Sequence, residues 1–201
     1  DPFDRQWRAQ AGCGTSFVAP AFNQLYWPDY GSPVLEAEKG KNLELGLDWT
    51  QDNHHVKLVR FDNKIRGFIT SGKAPANLPR ARIDGWTLGY DGSFDALTLR
   101  AAVDALDPRN ELTGKQLPRR AKSQVTFGAD YRVGAWSLGG TLLSVGKRYD
   151  EVVNKTTLAG YTTLDLHADY ALARDWALQA RLNNVGDRAY ETALGYNQPG
   201  R

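Results

Sequence analysis

Apolar and polar residues alternate strictly in four segments of the chain, 43–49, 123–131, 162–172 and 176–182. A period of two places the apolar side chains on one face of a strand and the polar side chains on the other. The apolar positions carry mostly Leu and Ala and reach Tyr or Trp at one end, whereas the polar positions carry Asp, Gln, Arg, His and Asn. The pattern predicts β-strands that separate an apolar medium from a hydrated one.

Extended along the whole chain, the same pattern predicts nine strands. Each is long enough to cross a bilayer when tilted, which takes about 9–11 residues. The predicted strands lie near 6–17, 41–51, 54–62, 79–91, 94–106, 121–132, 135–147, 160–172 and 175–185.

The connections between these strands alternate in length. Short turns are predicted near 52, 92, 134 and 173. Long connections, rich in Pro, Gly, Asn and charged residues, are predicted at 18–40, 63–78, 107–120 and 148–159. Short turns on one side and long loops on the other are typical of transmembrane β-barrels of the bacterial outer membrane. A soluble β-sandwich, the alternative architecture, gives no reason for such sorting.

Aromatic residues recur with the same cadence. Trp49, Tyr90, Tyr131 and Tyr170 are separated by 41, 41 and 39 residues. Three of them are followed, across a predicted turn, by a second ring at Phe94, Trp136 and Trp176. Paired rings at the turns predict an aromatic belt at a membrane–water boundary.

The composition narrows the class of protein. Hydrophobic residues make up 41% of the 201 residues, and no stretch of 18 apolar residues occurs, which excludes a spanning helix but not spanning strands. The net charge of +2, spread along the chain, gives no indication of nucleic-acid binding. Cys13 is alone, and the adjacent His54 and His55 point to opposite strand faces. We therefore expect no metal site, no cofactor and no enzyme activity.

The strand count suggests that the chain is a piece of a larger barrel. Bacterial single-chain barrels have an even number of strands, and nine is odd. The chain also ends at Pro199-Gly200-Arg201 without a returning strand. We expect an all-β, antiparallel transmembrane β-barrel fragment with meander topology, whose first and last strands carry open edges.

Four segments carry recognisable motifs, in order, over nearly the whole chain. They are GTSFVAP and FNQLY within 14–26, GSPVLEAEKGKNLELG at 31–46, LPRRAK at 117–122, and NNVGDRAYE with GYNQPGR within 183–201. Together they resemble the signatures of TonB-dependent outer-membrane receptors. The resemblance implies that residues 1–201 are the C-terminal portion of the barrel domain, about nine strands of a 22-stranded barrel. The N-terminal plug, the early strands and the last strand would be absent.

The resemblance also implies a function. Such receptors sit in the outer membrane of Gram-negative bacteria, in contact with its lipid. They bind and import a scarce nutrient such as cobalamin, a ferric siderophore or haem, with energy delivered by the TonB coupling protein through the plug. A passive porin-like channel is the alternative function.

Candidate ligand-binding residues come from the loops. The spacing from Leu117 to Tyr190 is most similar to the vitamin B12 transporters, in which the first arginine of the L-x-R-R motif contacts the ligand; Arg119 has that position here. A tyrosine that also contacts the ligand is replaced by Val153. Tyr26 and Trp27, in the first long loop, carry rings that can stack on a planar ligand or anchor at the membrane interface.

Overall fold

The computed structural model describes residues 6–70 and 74–200. Nine strands form one antiparallel sheet in which every strand pairs with its neighbours along the chain. In sheet order they are β1 (Trp7–Val18), β2 (Glu38–Gln51), β3 (His54–Thr70), β4 (Ala76–Phe94), β5 (Leu97–Asn110), β6 (Ser123–Val133), β7 (Trp136–Val145), β10 (Tyr161–Ala173) and β11 (Trp176–Leu182). The predicted all-β meander is confirmed. The alternative architecture, a soluble β-sandwich, is wrong, because these strands form a single layer.

The strands β3 and β4 are much longer than the sequence pattern predicts. β3 continues to Thr70 and β4 begins at Ala76, so the predicted loop at 63–78 is wrong over most of its length. The outer positions of this extension carry Lys64 and Arg66, and their charge hid the alternation. The β4–β5 turn lies at 95–96 rather than near 92, with Asp95 at the positive φ of 49° that tight hairpin turns require.

The sheet has two chemically different faces. Residues paired directly across antiparallel strands share a face, and the register places Leu45, Phe127 and Leu166 on one face together with their paired neighbours. We call this apolar face the outer face and the opposite one the inner face. Inner-face residues include Asp130, which contacts both Arg100 at 2.6 Å and His167 at 2.9 Å.

Aromatic rings lie on the outer face near the tight turns, but their predicted pairing is wrong. Tyr90 and Phe94 both belong to β4, and Tyr131 lies opposite Leu138 rather than Trp136. The rings instead meet sideways between neighbouring strands: Trp7 lies opposite Trp49, and the Trp136 and Tyr170 ring centroids are 4.6 Å apart. The belt is therefore held by cross-strand contacts.

Short elements fill the longer connections. The helix α1 (Phe22–Tyr26) follows β1, and no described helix is long and apolar enough to cross a membrane. Two small ladders join β8 (Arg148–Tyr149) with β9 (Thr157–Leu158), and β12 (Glu191–Ala193) with β13 (Tyr196–Asn197).

The segment 111–122 after β5 folds back over the inner face. Leu117 is fully buried and packs with Phe68 and Ala81, with Leu117 N–H donating to the carbonyl of Pro108. Burial of such side chains contributes about 1.5–3 kcal/mol each. This hydrophobic cluster fixes the L-P-R-R segment above the inner wall and so positions the arginines that follow Leu117.

Candidate functional site

A cleft of 480 Å³ opens on the inner face beneath the longer connections. Its floor consists of inner-face residues of β4 to β7, among them Asp104, Gln124 and Val145. Three arginines line it from above, Arg119 and Arg120 from the segment 111–122 and Arg148 from β8. A guanidinium group presents a planar fork of donors that matches carboxylate and phosphate. The cleft is thus chemically suited to an anionic group.

Arg119 is held in an unusual backbone conformation. Its φ is 57°, in the left-handed region that non-glycine residues rarely adopt. Its N–H donates to the carbonyl of Tyr149 at 2.6 Å, and its Nε donates to Asp150 Oδ1 at 2.7 Å. The Arg119 side chain is 37% exposed. The predicted ligand residue therefore already has one carboxylate partner and presents the rest of its fork to the cleft opening.

Asp150 joins three segments. Besides Arg119 it accepts a bond from the Leu194 N–H at 3.1 Å, so that the segments after β5, β7 and β11 meet at one carboxylate. The hydrogen bond from Arg119 lowers the pKa of Asp150 below its ordinary value, and the Leu194 N–H adds to this against the opposing effect of burial. Asp150 therefore stays ionised at neutral pH and holds the three segments together.

Val153 lies on the connection that the Arg119 segment contacts. Lys115 Nζ donates to the Val153 carbonyl at 3.1 Å, and the Asn154 side chain bonds both the N–H and the carbonyl of Gln116. Val153 itself is 45% exposed. The structure thus brings the connections of Arg119 and Val153 together and leaves Val153 exposed.

Arg148 is the residue that sequence reasoning missed. It is only 4% exposed, and its Nη1 is buried without a hydrogen-bond partner among the described residues. Nη2 donates to the Glu191 carbonyl, and the guanidinium carbon lies 5.3 Å from the centre of the Tyr161 ring, which stacks on Tyr190. A buried cationic donor without a partner is costly. The Arg148-Tyr149-Asp150 triplet, which precedes Val153 in the chain, is the sequence signal that could have pointed to it.

Arg120 has a different environment. Its guanidinium carbon lies 4.9 Å from the centre of the Phe68 ring, a distance typical of cation–π contacts. Burial lowers the pKa of Arg120, and the nearby Glu38 carboxylate partly offsets this. Arg120 therefore packs on the hydrophobic cluster beneath the segment and is a weaker ligand candidate than Arg119 or Arg148.

Tyr26 and Trp27 lie elsewhere. Both are exposed, at the end of α1 in the connection between β1 and β2, and that connection is tied to β4 by paired bonds between Glu36 and Asn77. Among the described residues, no contact joins these two rings to the three arginines. The structure thus places the predicted ligand residues in two groups.

The adjacent histidines His54 and His55 contact different residues on the two faces of the sheet. His54 Nδ1 contacts the Tyr90 hydroxyl at 3.0 Å, whereas His55 Nε2 contacts Asp48 at 3.2 Å on the other face. No described group of three or more His, Cys, Asp or Glu is placed to hold a metal ion.

The chain is similar to curated transport proteins. It is 30% identical over 200 residues to "Vitamin B12 transporter BtuB" of Photobacterium profundum, a match that covers 94% of this chain and 33% of that protein. The chain therefore spans about a third of the length of this relative. None of the relatives supports the passive-channel alternative.

Solved structures share the fold. The chain superposes on "Copper transporter OprC" with a TM-score of 0.78 at 22% identity, over 98% of this chain and 37% of that one. It superposes equally well, with a TM-score of 0.78 at 18% identity, on the ferric yersiniabactin uptake receptor FyuA from Yersinia pestis, over 97% of this chain and 32% of that one. The nine-stranded sheet thus corresponds to part of a receptor barrel.

The sequence motifs, the sheet and the relatives agree on the family. Residues 2–185 match the family described as TonB dependent receptor-like, beta-barrel. This match extends over most of the chain and includes the complete nine-stranded sheet. The chain belongs to the TonB-dependent receptor β-barrel family.

Proposed function

We propose that the chain is part of an outer-membrane active-transport receptor that binds and imports a scarce nutrient. In this proposal residues 1–201 form the C-terminal portion of the barrel wall, with the plug, the early strands and the last strand supplied by the rest of the receptor. The single observation that carries the proposal is the inner-face cleft, where Arg119 and Arg148 present cationic donors beneath three joined connections. A wall with an apolar outer face and a cationic inner cleft is suited to capture an anionic solute.

The chemistry of the cleft favours a ligand with phosphate or carboxylate groups. Arg119 and Arg148 both retain donor capacity, since Arg119 uses Nε for Asp150 and Arg148 Nη1 has no partner within residues 6–70 and 74–200. Cobalamin carries a phosphodiester, and many ferric chelates carry carboxylates, so both classes suit these donors. The relative named as a vitamin B12 transporter favours cobalamin. Val153 in place of a tyrosine removes a ring and a hydroxyl from that interaction.

Tyr26 and Trp27 supply a second contact region in this proposal. The two residues are 57% and 63% exposed, and although the Tyr26 ring contacts Phe22 with centroids 5.0 Å apart, both present exposed surface for stacking on a planar ligand. Capture in the receptor then involves the first long connection and the arginine cleft together, with the ligand bridging the two groups. Neither group carries out a chemical reaction on the ligand.

Transport is the release of the captured ligand towards the periplasm. A change of the receptor to a state in which the cleft has lower affinity for the ligand releases the ligand. This change must be driven, because the bound ligand stabilises the state that binds it more tightly. We propose that the TonB protein drives this change by acting on the plug, with energy from the inner-membrane proton gradient. The chain contributes part of the capture surface and part of the barrel wall in the outer membrane of a Gram-negative bacterium.

The binding test uses the full receptor that contains this chain. Affinities for cyanocobalamin, a ferric catecholate chelate and haem are measured by calorimetry for the wild type and for Arg119→Ala. We expect one ligand to bind clearly more tightly and Arg119→Ala to weaken it about 10-fold or more, as loss of a charge-assisted bond does. Arg174→Ala, at the tight-turn end of the wall, is the matched control. Unchanged affinity in Arg119→Ala contradicts the assignment of that residue.

The transport test separates a receptor from a passive channel. In cells, a protonophore that collapses the proton gradient should abolish uptake of the bound nutrient while leaving its binding to the cell surface intact. A passive channel would continue to take up solute along its gradient without saturable binding. Uptake that persists after collapse of the gradient contradicts active transport.

A further inference from the structure

The outer face changes from apolar to charged along β3 and β4. Val56 and Leu58 on β3, and Leu88 on β4, lie at the tight-turn end of this face. The next outer positions of β3 are Arg60 and Asp62, followed by Lys64 and Arg66. Because these residues share the face that carries the exposed leucines, their charges point in the same direction as the apolar band. The outer face thus has three tiers along β3 and β4. The lower tier is apolar and lies at the tight turns, the middle tier is charged and begins at Arg60 and Asp62, and the upper tier is basic and begins at Lys64 and Arg66.

The middle tier is neutralised internally. Arg60 contacts Asp84 at 2.6 Å, Arg82 contacts Asp62 at 2.6 Å, and Arg109 contacts Asp84 at 2.8 Å. Arg109 also contacts Asp107, so three arginines face three aspartates, and all six are half-buried. A charged group at the depth of the hydrocarbon is tolerated when it is paired. The pairing therefore fits a tier that faces acyl chains.

The upper tier is not neutralised. Five basic residues are exposed there, and no ion pair joins any of them to a described carboxylate. Together with Phe17 and Glu111 they border a cleft of 750 Å³. We call these five residues the basic patch: Lys39, Lys41, Lys64, Arg66 and Arg80. Lys39, Arg66 and Arg80 are direct neighbours across three strands, and Lys41 lies opposite Lys64. Like charges directly opposite each other are destabilising, and an anion bound at the patch would relieve this repulsion.

The height of the basic patch matches a membrane boundary. Val56 lies opposite Trp49 and Tyr90 in the aromatic belt, and Arg66 is ten residues further along β3. Ten residues rise about 33 Å along a strand, or about 25 Å along the membrane normal for a strand tilted by about 40°. This equals the height of about 25 Å of the apolar band of outer-membrane barrels. The patch thus lies where acyl chains give way to headgroups.

From these observations we infer that the basic patch binds the phosphorylated headgroups of outer-leaflet lipid, with Phe17 beside it in contact with the upper part of an acyl chain. The longer connections lie at this end of the strands, which is the extracellular side of such barrels. The inference rests on the proposed outer-membrane placement of the wall. It adds a lipid site on the outer face, distinct from the nutrient cleft on the inner face.

The test measures lipid retention by the full receptor. Affinity for bisphosphorylated lipid A and for its dephosphorylated form is titrated by native mass spectrometry in detergent. We expect Lys64→Gln/Arg66→Gln to weaken binding of the bisphosphorylated form about 30-fold, since each cation near an anionic surface contributes about a factor of five. Arg132→Gln/Arg174→Gln, which removes two exposed cations at the tight-turn end, should leave the affinity unchanged.

Three outcomes would overturn the inference. These are equal affinity of the two double variants, equal binding of the dephosphorylated lipid, and displacement of lipid by millimolar inorganic phosphate, which would reveal a site for free anions. The thermal midpoint without lipid should stay equal or rise in Lys64→Gln/Arg66→Gln, because like-charge repulsion is relieved; a fall would also contradict the argument. Nutrient affinity of the same preparations reports on the proposed function separately, because the inner cleft is untouched.

Discussion

Arg119 Nε and Asp150 Oδ1 lie 2.7 Å apart and join the connection after β5 to the connection after β7. The bond is made from a backbone with a φ of 57°, a conformation that costs about 1 kcal/mol or more for a residue with a side chain. Asp150 also accepts the Leu194 N–H, so that one carboxylate organises the opening of the cleft. Strain that is retained at a contact between two connections is a feature of functional sites.

The first prediction concerns the effect of low pH on the contact between Arg119 and Asp150. The pKa of Asp150 is lowered in the folded protein, so its contribution is present above the ordinary carboxyl value of 3.8 and is lost as the pH falls through the lower folded value. A spin label at Val153→Cys, in a Cys13→Ser background, should be equally immobile at pH 7 and pH 5 and become mobile only below about pH 4.

Asp150→Asn is the matched variant for this prediction. It removes the charge but keeps the shape, so the label should already be more mobile at pH 7, with a loss of about 1 kcal/mol for a partly exposed pair. The pH dependence below pH 5 should then be weaker than in the wild type. A label whose mobility rises equally in both proteins between pH 5 and pH 3 would show that other groups control this connection.

The second prediction concerns Arg148. Its Nη1 is buried without a partner in the described part of the chain, so Arg148→Met exchanges an unsatisfied donor for an apolar side chain of similar length. We expect the thermal midpoint of the full receptor to change little, whereas the affinity for the bound nutrient falls about 10- to 100-fold. Calorimetry and heat denaturation in detergent measure the two quantities.

Arg100→Met provides the comparison for Arg148→Met. Arg100 lies on the inner face as well, but it already contacts Asp130 at 2.6 Å. Its replacement leaves Asp130 with only His167 and should affect stability more than nutrient affinity. If both variants lose affinity to the same extent, the inner wall as a whole rather than the cleft determines binding, and Arg148 has no special role.

The alternation in the sequence was sufficient to predict the sheet, but not the extension of β3 and β4 towards the longer connections. Leu45, Phe127 and Leu166 were placed on the correct face because a period of two requires no tertiary information. The extension of β3 was not predicted because Lys64 and Arg66 occupy outer positions, where the alternating pattern requires apolar residues. The predicted pairing of Tyr90 with Phe94 was wrong because the turn lies at Asp95, with its positive φ, rather than near 92, which leaves both rings on β4.

The site was only partly accessible from the sequence. Arg119 could be singled out by its motif, but its contact with Asp150 depends on how two connections fold together, 31 residues apart in the chain. Arg148 became a candidate only when the structure showed a buried guanidinium without a partner for Nη1. Tertiary contacts between connections have no periodic signal, so the sequence alone could not predict them.

The third prediction concerns the medium on each side of the wall. Phe127 lies on the outer face of β6 and Thr126 on the inner face, one residue away. Phe127→Arg should destabilise the full receptor in lipid by about 2–4 kcal/mol, the cost of an arginine near the membrane midplane, whereas Thr126→Arg should cost about 1 kcal/mol or less. Urea unfolding in liposomes measures both. Equal costs would mean that the outer face does not contact acyl chains.

The fourth prediction concerns the close approach of β4 and β5. A Cβ added at Gly85 would lie 2.4 Å from the Ala105 carbonyl oxygen, and that atom cannot move without distorting the ladder. Gly89 is the matched control, because it lies in the same strand between two paired strands and a Cβ there meets only the Lys57 carbonyl oxygen at 3.9 Å, an ordinary contact. Gly85→Ala should lower the stability of the full receptor by about 1–3 kcal/mol, measured by heat denaturation in detergent. Gly89→Ala should leave it unchanged or slightly raised, since alanine restricts the unfolded chain. Because both substitutions change backbone entropy alike, a difference between them isolates the steric contact, and equal stabilities would contradict the strand spacing at Gly85.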